Sequence, residues 1–197
     1  MNAILDDQHS IWPTKASYWS YIRGSLRRAS SRNPLKTNWK KAMLRPISKE
    51  DRKKKKFHPS TKNVGNCVIC GDIFPGSKLE VDHIKPSSCK DRTTAQEFLF
   101  HCLGTTTDQY QLLCKPCHKI KTLADRLGIT FKEAVIEKDV IAFKKYKAKE
   151  QIKTLELLGL EPEANGAKRI QQFRKWKNEK EGGGVKPKIK ECVLIKR

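Results

Sequence analysis

The sequence predicts an α+β protein, with a small metal-stapled centre that carries short strands and basic helices on either side of it. Three observations lead there. Two Cys-x-x-Cys pairs, Cys67/Cys70 and Cys114/Cys117, enclose a span too short to build its own core. Apolar residues alternate over Leu79–Ile84, whereas flanking segments repeat at helical spacing. Charge is also unevenly spread. Residues 1–62 hold 16 Lys/Arg against 4 Asp/Glu, residues 63–118 hold 5 against 6, and residues 119–197 hold 21 against 11.

Taken in order, residues 15–30 read as a helix because Ala16, Trp19, Ile22 and Leu26 recur at near-helical spacing, with Arg23, Arg27 and Arg28 largely off that stripe. Asn33-Pro34 breaks it, and a short helix over 36–44 would use Trp39 and Met43 as apolar contacts. Residues 49–62, with four consecutive lysines from Lys53 to Lys56, read as a solvated basic linker available to phosphates. Gly71 after Cys70 permits the positive φ of a tight knuckle. Residues 94–103 place Ala95, Phe98, Leu99, Cys102 and Leu103 on one helical stripe ending at Gly104. A helix from about Cys114 to Leu127 stops at Gly128. Thr130 and Glu133 form a capping-box signature for a helix over about 131–147. Ile152, Leu155 and Leu158 mark another helix closed by Gly159, and residues 166–178 form a basic amphipathic helix. Gly182-Gly183-Gly184 precedes a basic tail. The domain reading is a basic helical arm over 1–62, a core over 63–128, a basic helical region over 129–181 and a flexible tail over 182–197.

A formal net charge of +21 calls for a polyanionic partner, and a near-neutral centre between two basic arms suits a nucleic acid gripped from both sides. No run of about 18 apolar residues exists to span a bilayer. Met1 to Ser10 lacks the pattern of a signal peptide, so the expected compartment is the reducing cytoplasm, where thiols bind metals more often than they pair. Aromatic residues make up only 8% and no RNA-binding signature is present, which weakens an RNA-binding reading.

Four thiolates close a tetrahedral zinc site without further ligands. The spacing C-x2-C-x43-C-x2-C is longer than an ordinary finger, so a substructure must fill it. Two other readings of Cys114-Lys-Pro-Cys117-His118 compete. A redox dithiol would want a βαβ context and gives Cys67 and Cys70 no role; haem attachment would want export. Cys102 belongs to the apolar stripe of its helix and reads as core. Cys89, Cys192, His9, His58 and His101 have no motif.

Leu79-Glu80-Val81-Asp82-His83-Ile84-Lys85-Pro86, followed by Gln109-Tyr110-Gln111-Leu112-Leu113-Cys114-Lys115-Pro116-Cys117-His118-Lys119-Ile120-Lys121-Thr122, resembles the HNH, or ββα-metal, endonuclease superfamily. The likeness covers about residues 64–122 and is nearest in style to the small zinc-containing HNH enzymes of tailed bacteriophages, including homing endonucleases. The resemblance implies a ββα-metal core and hydrolysis of double-stranded DNA to 5′-phosphate and 3′-hydroxyl ends. It implies His83 as general base, since an imidazole titrates near neutral pH. It implies Asp82 and His118 as ligands of one divalent ion, Mg2+ or Mn2+, beside a structural Zn2+ on Cys67, Cys70, Cys114 and Cys117. Contacts to DNA phosphates are expected from Arg23, Arg27, Arg28, Lys53, Lys54, Lys119, Lys121, Arg169 and Lys175.

One position departs from the family pattern. The asparagine that braces the catalytic loop lies nine residues before the last histidine, and in this chain Gln109 stands there. The longer amide either keeps the brace with a shifted backbone or yields it to Asp108. The competing functional class is a catalytically silent zinc-ribbon DNA-binding protein. Asp82, His83 and His118 together favour an enzyme, because a pure binder has no need for all three. One active site per chain suits a monomer that nicks.

Overall fold

A computed structural model describes residues 11–104 and 106–181. The glycine hinge, the basic tail with Cys192, and His9 lie outside those residues. Contacts divide the chain into two compact units, Met1–Cys114 and Lys115–Arg197. That boundary falls inside the 63–128 segment that the sequence reading treats as one core.

In the first unit α1 spans Lys15–Ser31, opened by a Thr14 capping box with Ser17. Trp19, Ile22 and Leu26 pack against a cluster of Cys89, Phe98 and Cys102, so the expected stripe holds except at Ala16, which is exposed. Asn33 both ends that run and caps α2 (Pro34–Ala42), its side chain accepting from Leu35 N at 3.0 Å. Proline at the first helical position loses no hydrogen bond there. Trp39 reaches the ring of Tyr110 at 5.5 Å, but Met43 is half-exposed rather than a packing contact.

The segment 49–62 is more than a linker. After the two-residue strand β1 (Arg45–Pro46), α3 runs Lys49–Lys54 from a capping box in which Ser48 and Asp51 cap each other. Asp51 is buried and takes Arg45 in a two-pronged ion pair at 2.5 and 2.9 Å. Lys55, which follows the helix, donates to the Ile73 carbonyl at 3.0 Å and lies over the Phe74 ring. A lysine run reads as solvated charge by composition, yet one of its members is held by a carbonyl and an aromatic face.

Two antiparallel sheets follow. β1, β2 (Asn63–Asn66) and β3 (Ile73–Pro75) form one, ordered β1-β2-β3. β4 (Leu79–His83) pairs with β5 (Tyr110–Cys114) in the other, with Leu79 opposite Cys114, Asp82 opposite Gln111 and His83 opposite Tyr110. Leu79 and Val81 point to the buried face, as period-2 alternation requires. Between these strands α4 (Arg92–Leu103) starts on an Asp91–Thr94 capping box. Its Phe98 and Cys102 are buried, while Leu99 and Leu103 are each 40% exposed, so the apolar stripe is half covered. Gly104 ends the helix at φ −111°, with no left-handed turn.

The second unit is helical. α5 (Lys115–Leu127) is stopped by Gly128 at φ +66°, a conformation that disfavours any side chain. Its Ile120, Leu123 and Ala124 pack with Ala134 and Val135 of α6 (Phe131–Lys144), which starts on the expected Thr130/Glu133 capping box. α7 (Ala148–Leu157) and α8 (Gly166–Glu181) complete a second cluster around Val140, Phe143, Leu155 and Phe173. Phe143 and Phe173 lie parallel with ring centroids 4.3 Å apart. Arg169, expected on the DNA-facing side of α8, is instead 6% exposed. Its guanidinium donates to the carbonyls of Glu163 and Ala164 at 2.8 and 2.6 Å and to Gln151 at 3.1 Å. Those acceptors line a loop and a buried amide, so this arginine ties the helices together; helical spacing alone could not separate it from its exposed neighbours Lys168 and Lys175.

Candidate functional site

The four paired cysteines come together. All their sulfurs lie within 4.8 Å of one another, and Cys67, Cys114 and Cys117 are buried. The local chain explains how. Cys67 N donates to Asp72 O, and Gly71 N returns to Cys67 O at 2.8 Å, which closes the knuckle with Gly71 at φ +72°. Val68 N then donates to Leu112 O at 2.9 Å, which pins the knuckle to β5. Cys114 ends β5, and Cys117 lies in the first turn of α5.

The donor set fits zinc. Zn–S bonds of about 2.3 Å in a tetrahedron put sulfurs about 3.8 Å apart, and Cys70 and Cys114 stand 4.0 Å apart. Four soft thiolates select zinc over hard cations. Burial, aided by the neighbouring Cys67 and Cys114, pushes the Cys70 thiol up to about 12 against the pull of a hydrogen bond from the Asp72 backbone. Burial acts the same way on Cys67, but backbone donors from Cys70, Cys114 and Ile69 outweigh it and hold that thiol below its usual value. A bound cation would remove the remaining cost of ionising the set. Six described cysteines are free thiols, including Cys89 and Cys102, both buried in the α1–α4 cluster. Among the described residues no other group of three or more His, Cys, Asp or Glu converges in this way.

Asp82 and His83 end β4. The Asp82 carboxylate accepts from Gln111 Nε2 at 3.1 Å, and the same amide nitrogen reaches the His83 carbonyl at 3.3 Å. The Gln109 amide turns elsewhere, donating to Asp108 Oδ2 at 3.1 Å, while the Thr106 hydroxyl donates to the other Asp108 oxygen. Gln109 nonetheless clasps the turn through its backbone, its carbonyl accepting from Ile84 N at 2.9 Å. Gln111, directly opposite Asp82 in the hairpin, thus supplies a side-chain donor to its carboxylate, which Gln109 does not.

The His83 ring is flanked by His101 of α4 at 3.9 Å and by Tyr110 at 5.2 Å between centroids. Burial, then the nearby His101 and Lys36, push the His83 imidazole down to about 4, against the opposing pull of Asp82 and of a His101 backbone hydrogen bond. It is neutral at pH 7. Its Nε2 is buried and has no hydrogen-bond partner, alone in this among the described side chains. Lys36, half-buried on α2, has its own ammonium pushed down by burial, with Asp82, Cys102 and Glu80 acting against that shift and Lys40 adding to it. One turn on, Lys40 donates to the Leu79 carbonyl at 2.6 Å, which sets α2 along β4.

His118 is half-buried in the first turn of α5. Lys119 is exposed, whereas Lys121 pairs with Asp125 at 2.7 Å. In the first unit, Arg27 and Arg28 are exposed on α1, Arg23 is half-buried there, and Lys53 and Lys54 are exposed on α3. Arg23 and Arg28 make only local bonds to Ser20 and Ser25, and the Arg27 guanidinium lies over Phe98. Sequence reasoning missed Gln111, His101 and Lys36. A signal existed for His101, which lies one turn after Phe98 and so flanks the buried stripe.

Two of the concavities among the described residues are lined in part by candidate site residues. The larger, about 600 Å³, lies between α6 and α8 and includes Glu137, Arg174 and Lys175. The smaller, lined by Glu97, Phe100, His101, Thr106 and Gln109, borders the Asp82–His83 turn through His101. No helix among the described residues is long and apolar enough to cross a membrane. Comparison with protein-family models, curated proteins and solved structures finds no match.

Proposed function

We propose that this chain is a metal-dependent endonuclease of the HNH type, acting on double-stranded DNA. The observation that carries the reading is the buried Nε2 of His83, a neutral acceptor with no partner, beside a carboxylate that Gln111 holds in place. A buried polar atom left unpaired costs stability, and such atoms concentrate where function needs them. In this reading His83 takes the proton of the attacking water: the ring is neutral and can accept one, though its lowered pKa makes it a weaker base than a free imidazole. Asp82 and His118, paired by the sequence resemblance, would hold a hard divalent ion. That ion, Mg2+ or Mn2+, supplies charge stabilisation for the phosphorane-like transition state and the leaving 3′ oxygen. Lys36 adds a half-buried positive charge on the Asp82 side, suited to a phosphate oxygen. The four-cysteine cluster has a structural role, holding zinc away from the reaction. The products carry 5′-phosphate and 3′-hydroxyl ends, and the exposed Arg27, Arg28, Lys53, Lys54, Lys119 and Lys175 grip phosphates. The likeness in motif extends this to a phage-type enzyme that works as a monomer in the cytoplasm, whether in homing, packaging-associated or host-directed cleavage.

The second reading is a zinc-dependent DNA binder without catalysis, favoured by the Gln109 amide turning to Asp108 instead of bracing the turn. A plasmid assay separates the two. Supercoiled DNA is incubated with the protein and magnesium, manganese or EDTA, beside His83→Ala. Metal-dependent nicking or linearisation, lost in His83→Ala while DNA affinity and zinc content hold, is the expected result. Tight binding without cleavage in any metal would establish the silent binder.

A further inference from the structure

We infer that His101 is a positioning residue for His83, the outer jaw of an aromatic clamp that sets the orientation of the proposed base. The inference rests on the nuclease reading above and adds a residue that neither motif nor metal spacing assigns. The clamp is built from two elements distant in sequence. From β5, the Tyr110 ring lies 5.2 Å from that of His83 and is itself 5.5 Å from Trp39 of α2. From α4, His101 approaches to 3.9 Å with the ring planes 39° apart. Phe98 and Cys102 anchor that face of α4 against α1, so the jaw is mounted on a packed helix. His101 is also the clamp residue that lines the smaller concavity, beside Phe100 and Gln109.

The physical need follows from the rotamers. A histidine at the end of a strand has two χ angles, and its χ2 well is broad. A hydrogen bond to the His101 backbone already restrains the ring at its other nitrogen, but hydrogen bonds cannot add to that at Nε2, which has no partner. Ring contacts on its flanks can, because a planar ring wedged between others loses its torsional freedom without using up a nitrogen. The base thus keeps its acceptor atom unengaged and still points one way. Beyond its backbone bond to His83, which any residue at 101 could make, the His101 side chain supplies a flat ring at contact distance.

The test compares His101→Ala with His101→Phe in the full chain. It reads single-turnover cleavage of a supercoiled plasmid in magnesium, DNA affinity by filter binding, zinc content, and the NMR position of the His83 ring protons. His101→Ala should cut the single-turnover rate by about 10- to 100-fold, the scale of a base misplaced by up to an ångström. DNA affinity should stay within about 2-fold, since no phosphate contact is lost. His101→Phe should recover most of the rate and leave the His83 ring signals near their wild-type positions, whereas His101→Ala shifts them. His101→Ala cleaving at the wild-type rate, or leaving the His83 signals in place, overturns the clamp. So does His101→Phe as slow as His101→Ala at unchanged zinc content, which would make the lost group a proton carrier. A wild-type protein that cleaves nothing removes the nuclease reading, and the positioning role with it. An active wild type with a fully active His101→Ala removes the positioning role alone.

Discussion

Replacing Cys67 by serine tests the metal centre directly. Cys67 is 1% exposed, and its sulfur is one of four within 4.8 Å of one another. A structural zinc contributes roughly 10–16 kcal/mol of apparent binding free energy in small domains, on the scale of a whole domain's net stability of about 5–15 kcal/mol. A serine hydroxyl is a hard, weakly acidic ligand, so the substitution removes one of four soft donors. A quarter of the zinc term is about 2.5–4 kcal/mol, and a chain of this size shifts by about 2–4 °C per kcal/mol, which puts the loss at about 5–16 °C. The affected transition should be the one belonging to the first unit, because the knuckle is tied by Val68 N to β5 there. Zinc measured by mass spectrometry should fall from one per chain to well below that, and EDTA should reproduce the melting shift in the wild type. A wild-type protein that purifies without zinc, or a Cys67→Ser melt within about 2 °C of wild type, would refute the argument.

Arg169→Ala should destabilise the second unit by about 2–4 kcal/mol, because it strands two carbonyls and the buried Gln151 amide. DNA affinity should change by less than about 2-fold in the same protein, and a large loss of affinity at unchanged stability would return Arg169 to the interface. The Arg45 guanidinium, together with the Ser48 backbone, holds the Asp51 carboxyl well below the usual carboxylate range. Its stabilising effect is therefore full above about pH 4 and drains away as the pH falls below that. Thermal melts across that range should show the gap between wild type and Asp51→Asn closing toward acid, and a constant gap would contradict the ion pair. Gln111→Leu should slow cleavage by about 10-fold or more by removing an amide donor from the Asp82 carboxylate, whereas Gln109→Ala, which keeps the backbone clasp on Ile84, should cost less than about 3-fold. Single-turnover rates in the reverse order would restore Gln109 as the brace.

The helices were legible wherever a stripe met a cap. Thr130 with Glu133, and Trp19, Ile22 and Leu26 on α1, announce themselves because capping and burial act over three or four residues. The cysteine cluster was legible for a similar reason, since each Cys-x-x-Cys pair is a local turn and only the meeting of the two pairs is long-range. The segment over 49–62 was misjudged because composition hides pairing. Asp51 is one carboxylate among many lysines, yet its capping of Ser48 and its bond to Arg45 are what nucleate α3. Arg169 failed the same way, since its three acceptors come from two other stretches of chain.

That the Gln111 side chain, and not that of Gln109, meets Asp82 has a more general cause. Counting along a chain measures contour, but side chains in an antiparallel hairpin meet by register, and residues directly opposite share a face at about 5 Å. Here Asp82 faces Gln111 and His83 faces Tyr110, so the residue able to hold the carboxylate is fixed by pairing that no single segment displays. Gln109 falls just before the paired stretch, where its backbone can still close the turn on Ile84. The brace is thereby divided, backbone to the loop and side chain to the carboxylate. The same register puts Tyr110 against His83, so the strand that steadies Asp82 also supplies the inner wall for the imidazole. A substitution that slips β5 by one residue would exchange these faces and remove both supports together. Asp82 and His83 are thus better understood as two outputs of one strand pairing than as two residues retained side by side.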